Sequence, residues 1–174
     1  MTQPLGTVRQ LAYVVTDIEA SLNYWTKILK AGPFFLLEHC PLENQQYYGA
    51  EGDADVTIAL GNSGSLQIEL IYQHNHAPSV YRDFLQAGRI GVHHTGLMPE
   101  DYPATIADYR ALGHKEAFTC TVGGAPLVYF DTLDALGHYV ELWDNHAVFK
   151  DMFLMIEDAA RDWDGSDPVR VLKI

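Results

Sequence analysis

The sequence predicts an α+β fold: two βαβββ modules in one chain, forming a curved eight-stranded, half-barrel-like sheet with helices outside. Two internal repeats support this. GVHHTGLMPED at residues 91–101 follows the plan of VRQLAYVVTD at residues 8–17, and each is an apolar strand running into an Asp that can cap a helix. SLQIELIY at residues 65–72 and HYVELWD at residues 138–144 then close the two halves, each on a strand with a central Glu. Between these landmarks the strand and helix signals recur in the same order.

Residues 8–15 alternate, with Leu11, Tyr13 and Val15 on one face and Gln10, Ala12 and Val14 on the other. That is the period of a strand with one face suited to a helix. Asp17 can cap a helix in which Ile18, Leu22, Trp25, Ile28 and Leu29 recur at helical spacing, and Gly32-Pro33 stops it. Strands follow at 34–41, 56–60 and 66–72, with a polar loop or hairpin over 44–55 and a GNSG turn before the last strand. Past Pro78, the spacing of Tyr81, Phe84 and Leu85 predicts a short connecting helix.

The second half gives a strand over 91–98 and a helix over 101–112 ending at Gly113. Strands at 116–122, 127–131 and 139–143 complete it, with GGAP as a turn. Beyond them, Phe149, Met152, Phe153, Ile156, Ala160 and Trp163 form a helical apolar stripe expected to pack on its own domain. The tail DGSDPVRVLKI is expected to lie irregularly on the surface. The chain therefore divides into a first module (7–73), a connector helix (74–89), a second module (90–145) and a C-terminal helix with tail (146–174).

At 174 residues the chain is long enough to bury one substantial core. Eleven basic residues against 23 acidic ones give a net charge of −12, which argues against nucleic acid and against an anionic membrane surface. Cys40 and Cys120 form no CxxC pair, which suits a reducing cytoplasm better than a disulfide framework. The start MTQPLGTVRQ lacks the basic and apolar regions of a signal peptide, so a cytoplasmic protein is expected. No apolar run reaches the roughly 20 residues needed to span a bilayer.

Strand parity identifies the candidate site. If the apolar faces take the helices, then Gln10, Glu69 and Glu141 point to the opposite, concave surface. His94 precedes Asp101 by the interval that separates Gln10 from Asp17, so it joins them, and His93 is expected to face the other way. A carboxylate inside a sheet is costly unless it is paired or bound to a cation. One nitrogen and three oxygen ligands suit Zn²⁺, Ni²⁺, Co²⁺, Mn²⁺ or Fe²⁺. The HNH triplet with His74 and His76 is read as a solvated connector.

On these residues the chain resembles the vicinal oxygen chelate superfamily, which includes glyoxalase I, methylmalonyl-CoA epimerase, extradiol dioxygenases and bleomycin-resistance proteins. The resemblance runs from about residue 7 to residue 145 and implies a divalent metal ion held by Gln10, Glu69, His94 and Glu141. The order Gln, Glu, His, Glu resembles the eukaryotic-type glyoxalase I set, whereas LQIELIYQ and GVHHTGL look closer to the epimerases. The implied activity is that of a metal-dependent isomerase or lyase, which abstracts a proton next to a carbonyl and stabilises the resulting enediolate or enolate. Glu141 would be the base, and Glu69 a ligand or the group serving the opposite face. The implied partners are a small-molecule carbonyl or thioester substrate and, as in many members, a second copy of the chain.

Two positions depart from the family. Glyoxalase I carries an Arg four residues beyond its first ligand, where this chain has Val14. The epimerases carry a further Glu in an EQG-like turn, where this chain reads QQYYGAEG, so Tyr47 or Tyr48 takes that place and Glu51 is the nearest acid. Tyr47, Tyr48, Tyr139 and Trp143 are candidate pocket residues. The alternatives are an epimerase acting on an acyl thioester and a metal-free binding protein of the bleomycin-resistance type. An extradiol dioxygenase is a third, but it requires two His and one carboxylate on iron, and Gln10 replaces the first His.

Overall fold

In the computed structural model, which describes residues 7–172, one sheet of 11 strands runs through the chain. The first half comprises β1 (Val8–Val14), α1 (Ile18–Asn23) with a π-helical continuation (Tyr24–Ile28), and β2 (Phe34–Leu37). A hairpin of β3 (Glu43–Tyr47) and β4 (Ala50–Glu51) precedes β5 (Val56–Ser63) and β6 (Leu66–Gln73). After α2 (Val80–Gln86) come β7 (His94–Leu97), α3 (Tyr102–Ala111), β8 (Glu116–Val122) and β9 (Ala125–Phe130). A short α4 (Leu133–Leu136), β10 (Tyr139–Trp143), α5 (Ala147–Ala160) and β11 (Val169–Val171) complete the chain. Among the described residues no helix is long and apolar enough to cross a membrane.

The expected Asp caps are present. Asp17 accepts from the Ala20 N–H at 2.8 Å and Asp101 from the Ala104 N–H at 2.9 Å, so both modules start their helix with the same device.

The sheet order is β11-β2-β5-β6-β1-β7-β10-β9-β8-β3-β4. The run β2-β5-β6-β1 matches β8-β9-β10-β7, and the two runs meet where β1 pairs antiparallel with β7, with Ala12 opposite His94. The strands bearing the four candidate ligands are thus β6, β1, β7 and β10, side by side at the centre.

Chain length forces the sheet to curl. Five residues, 38–42, join β2 to β3 and span at most about 20 Å. Yet seven strands separate β2 from β3 in the sheet, which on a flat surface would put them about 38 Å apart. Only a strongly curved sheet brings its ends that close together.

Three of the 11 strands go beyond the expected eight. Residues 44–55 contain a hairpin, and β3 leaves the first module to extend the second by pairing with β8. The tail is not irregular, because β11 pairs in parallel with β2.

The placement of the helices corrects a second expectation. α1 packs outside on Leu11, Tyr13, Ile68 and Leu70, and α3 outside on Leu97, Val128, Val140 and Leu142, as the parity required. α2 and α5 instead pack within the concave face, where Val80, Phe84, Phe149, Phe153 and Ile156 join Val14, Leu37, Leu60, Phe118 and Trp143 in the largest core. A curled apolar face leaves a hollow that only further apolar side chains can fill without exposing it to water.

Close packing at the centre leaves no room at Gly96. A Cβ built there would lie 2.0 Å from Cη2 of Trp143. Gly96→Ala is therefore expected to destabilise the fold by about 1–3 kcal/mol, read as a lower urea midpoint with an unchanged slope.

Candidate metal centre

Gln10, Glu69, His94 and Glu141 converge on the concave face, and all four are buried. β1, β6 and β10 deliver their ligands through the predicted alternation, since the neighbouring residues Leu11, Ile68, Val140 and Leu142 all lie in the outer cores. His94 Nε2 is 3.1 Å from Gln10 Oε1, 3.1 Å from Glu69 Oε2 and 3.1 Å from Glu141 Oε2. Ligand atoms about 2.1 Å from one ion are separated by about 3.0–3.4 Å, so this spread fits a divalent cation.

The charges support the same reading. Burial alone would depress the His94 imidazole, but the facing Glu141 and Glu69 carboxylates outweigh it and raise the group to about 9. His94 therefore carries a proton on Nε2, where a cation would sit, and that proton is directed at Gln10 Oε1. Glu69 Oε2 is buried without any hydrogen-bond donor, despite its lateral approach to His94. Burial pushes the Glu69 carboxyl up, His94 partly offsets this, and the Glu141 charge adds to it. An orphaned carboxylate oxygen beside a nitrogen and two further oxygens is a donor set that a divalent ion would complete.

Two neighbours orient the ligands. Gln10 Nε2 donates to Gln67 Oε1 at 2.8 Å, which turns Gln10 Oε1 into the site. His93 does not face away as expected. It is fully buried in the same interior, with Nε2 3.2 Å from the Val80 carbonyl and Nδ1 2.9 Å from His94 Nδ1. Its alternation fails because β7 begins only at His94. A carbonyl can only accept, so His93 holds its proton on Nε2 and receives one from His94 Nδ1–H. His94 Nε2 is thereby left facing the site, and it offers its lone pair to a cation once its proton is displaced.

A cavity of about 50 Å³ opens beside Gln10, Glu69 and Glu141. Tyr81 and Tyr129 line it, their hydroxyls 3.3 Å apart, and the Tyr129 ring meets His94 edge-on at 4.8 Å. Burial, reinforced for Tyr129 by the Glu141 charge, pushes both phenols up. Sequence reasoning missed this pair because Tyr81 comes from α2 and Tyr129 from β9, and no shared spacing links them.

Of the four aromatic candidates, Trp143 lines the cavity and Tyr47, Tyr48 and Tyr139 do not. Tyr47 donates its hydroxyl to Asp83 and Tyr48 donates to Asp131, because the hairpin carrying them is paired to the outer edge of β8. Glu51, on the same hairpin, is exposed. No second acid from that hairpin reaches the centre.

His74, first read as part of a solvated connector, meets two other ligand-type residues away from the centre. His39, Asp55 and His74 bring ligand-type atoms within 4.8 Å of one another, but His39 and His74 are exposed. His39 Nδ1 bonds Asp55 and His74 Nε2 bonds Thr57, so each already has a protein partner.

Residues 9–130 match a family profile described as the glyoxalase/bleomycin resistance protein/dioxygenase superfamily. The chain belongs to this superfamily. The match includes Gln10, Glu69 and His94, and Glu141 lies beyond it. No curated protein matches the chain.

Solved structures share the fold. A hypothetical protein from Bacillus halodurans C-125 is 20% identical with a TM-score of 0.59, over 80% of this chain and 94% of that one. Methylmalonyl-CoA epimerase from Mycobacterium tuberculosis is 14% identical with a TM-score of 0.59, over 87% of this chain and 96% of that one. A Streptomyces coelicolor methylmalonyl-CoA epimerase variant in complex with 2-nitronate-propionyl-CoA is 15% identical with a TM-score of 0.51, over 82% and 99%. At these identities the likeness concerns the fold.

Cation uptake must displace the His94 proton. Because that group is raised to about 9, the affinity for Zn²⁺ is expected to fall about tenfold per pH unit below 9 and to level off above it. A chelator-competition titration from pH 6 to 10 measures this, and a flat profile contradicts it. His93→Leu is expected to weaken Zn²⁺ binding by about 10–100-fold through loss of the orienting contact.

Proposed function

We propose that the protein is a metal-dependent isomerase or lyase that removes a proton next to a carbonyl group. The observation that carries this reading is the pair of buried carboxylates, Glu69 and Glu141, facing one imidazole at the wall of an apolar cavity. Gln10, Glu69, His94 and Glu141 would hold a divalent ion, which when bound supplies Lewis-acid stabilisation for negative charge on substrate oxygens.

The chain's own groups perform the proton work. Glu141 Oε2 takes the proton from the carbon, as a carboxylate poised in a dry site and adjacent to the substrate. Glu141 then returns that proton to the same or the neighbouring carbon, while Glu69 Oε2, which has no donor of its own, remains the second carboxylate beside His94. Tyr81 donates to the Tyr129 oxygen, which leaves the Tyr129 O–H free to point at a substrate oxygen. Its raised affinity for the proton keeps it a donor throughout. The apolar walls exclude water, which would otherwise weaken each of these interactions.

A second reading is epimerisation of an acyl thioester, in which one carboxylate takes the proton and the other, protonated beforehand, delivers its own to the opposite face. It is favoured by the presence of two acids rather than one, and by the fold shared with methylmalonyl-CoA epimerases.

The test is deuterium incorporation from heavy water into a panel of α-hydroxycarbonyl compounds and acyl thioesters, followed by NMR. Exchange is expected with the Zn²⁺, Ni²⁺ or Co²⁺ form, and is expected to stop on chelation. Glu141→Gln should slow it by about 10²–10⁴-fold while the circular dichroism spectrum stays unchanged. Label scrambled over both faces of the carbon indicates epimerisation, and retained exchange in Glu141→Gln would sink the assignment of the base.

A further inference from the structure

The walls of the cavity say which substrates the centre accepts. Apart from Gln10, Glu69 and Glu141, its lining is apolar or aromatic, and among the described lining residues there is no Lys, Arg or His. The nearby Arg9 is half-exposed, 3.8 Å from Glu157 and 5.7 Å from the face of the Phe153 ring. It is not among the lining residues and is already engaged with α5.

The centre itself provides no spare positive charge. Two carboxylates, a neutral amide and a neutral imidazole around a divalent ion sum to zero. A substrate with its own carboxylate or phosphate would therefore be desolvated here without a counter-charge, which is costly.

Size restricts the choice further. The cavity of about 50 Å³ has room for only a few water molecules, well below the roughly 300–1,000 Å³ of sites for drug-sized ligands. Three larger hollows, of about 330, 350 and 340 Å³, lie elsewhere and include none of the four candidate ligands. Phe149, Met152 and Phe153 of α5 supply part of the cavity wall. Phe149 and Phe153 are buried and belong to the main core, so this wall is part of the packed fold.

We propose that the substrate is a small uncharged carbonyl compound with a short apolar tail, and that Met152 and Phe153 of α5 set the length of that tail. This rests on the proton-transfer reading above and narrows it, because the anionic carrier groups of glutathione and coenzyme A conjugates find no partner in the cavity. Met152 is the more adaptable of the two wall residues, being only partly buried and unbranched.

Hydroxamic acids test the class, since they chelate through two neighbouring oxygens and can carry any tail. Calorimetric titration of the Zn²⁺-loaded protein should show butanohydroxamic acid binding at least about tenfold more tightly than succinic monohydroxamic acid, which has the same chain ending in a carboxylate. Across the aceto- to octano- series, affinity should rise to a limiting length and then fall. Met152→Ala should move that limit outward by one or two carbons. Phe153→Leu, a milder change than truncation to alanine, should do the same if the helix stays folded. Equal or tighter binding of the carboxylate-ended compound overturns the proposal, as does a length limit that neither variant moves.

A metal-free titration separates the two readings. With Trp25→Phe and Trp163→Phe, fluorescence reports Trp143 in the cavity wall, and butan-2-one should perturb it without any metal. Binding of butan-2-one in a protein that takes up no Zn²⁺ would sink the proton-transfer reading and uphold the ligand class. Zn²⁺ uptake together with preference for the anionic hydroxamate would overturn the ligand class alone.

Discussion

The structure depends on holding two carboxylates in a dry interior beside a single imidazole. Glu69 and Glu141 bring two negative charges to a place where His94 offers one positive charge. The deficit shows in two ways. Glu69 Oε2 is left without a donor, and burial pushes the Glu69 carboxyl up. A divalent ion in place of the His94 proton removes it, because the four-ligand centre is then neutral. Buried charge without compensation is among the most expensive features a fold can carry. Its presence at the meeting point of four strands therefore points to chemistry rather than to packing.

The rest of the architecture serves that placement. Antiparallel pairing of β1 with β7 sets the two modules edge to edge and puts the four ligand-bearing strands at the centre of the sheet. Parallel pairing of β6 with β1 and of β10 with β7 gives each module the same register, so the two Glu residues arrive symmetrically about the join. The curl imposed by the short link from β2 to β3 turns the ligand face into a hollow. α2 and α5 then fill the hollow and reduce it to a small cavity. Gly96 allows the last adjustment, since only a residue without Cβ lets Trp143 lie across the strand beside His94.

Superfamily membership and the centre reinforce each other without being the same finding. The family profile extends over residues 9–130 and stops before Glu141, while the geometry brings Glu141 as close to His94 as Glu69. The solved epimerase from Mycobacterium tuberculosis shares the fold, while in this chain the β3–β4 hairpin sends its tyrosines to Asp83 and Asp131.

Alternation and repetition in the sequence alone determined the fold class, the two Asp caps and the set of Gln10, Glu69, His94 and Glu141. Each of these follows from local periodicity, or from comparing one half of the chain with the other. Only the tertiary structure decided that β3 crosses to the second module and that α5 lies inside the sheet. The same holds for His93 turning inward to orient His94, and for Tyr81 and Tyr129 meeting at the cavity. These depend on where a curled sheet brings distant segments together. Periodicity records which face of a strand a residue occupies, but curvature decides what that face encloses.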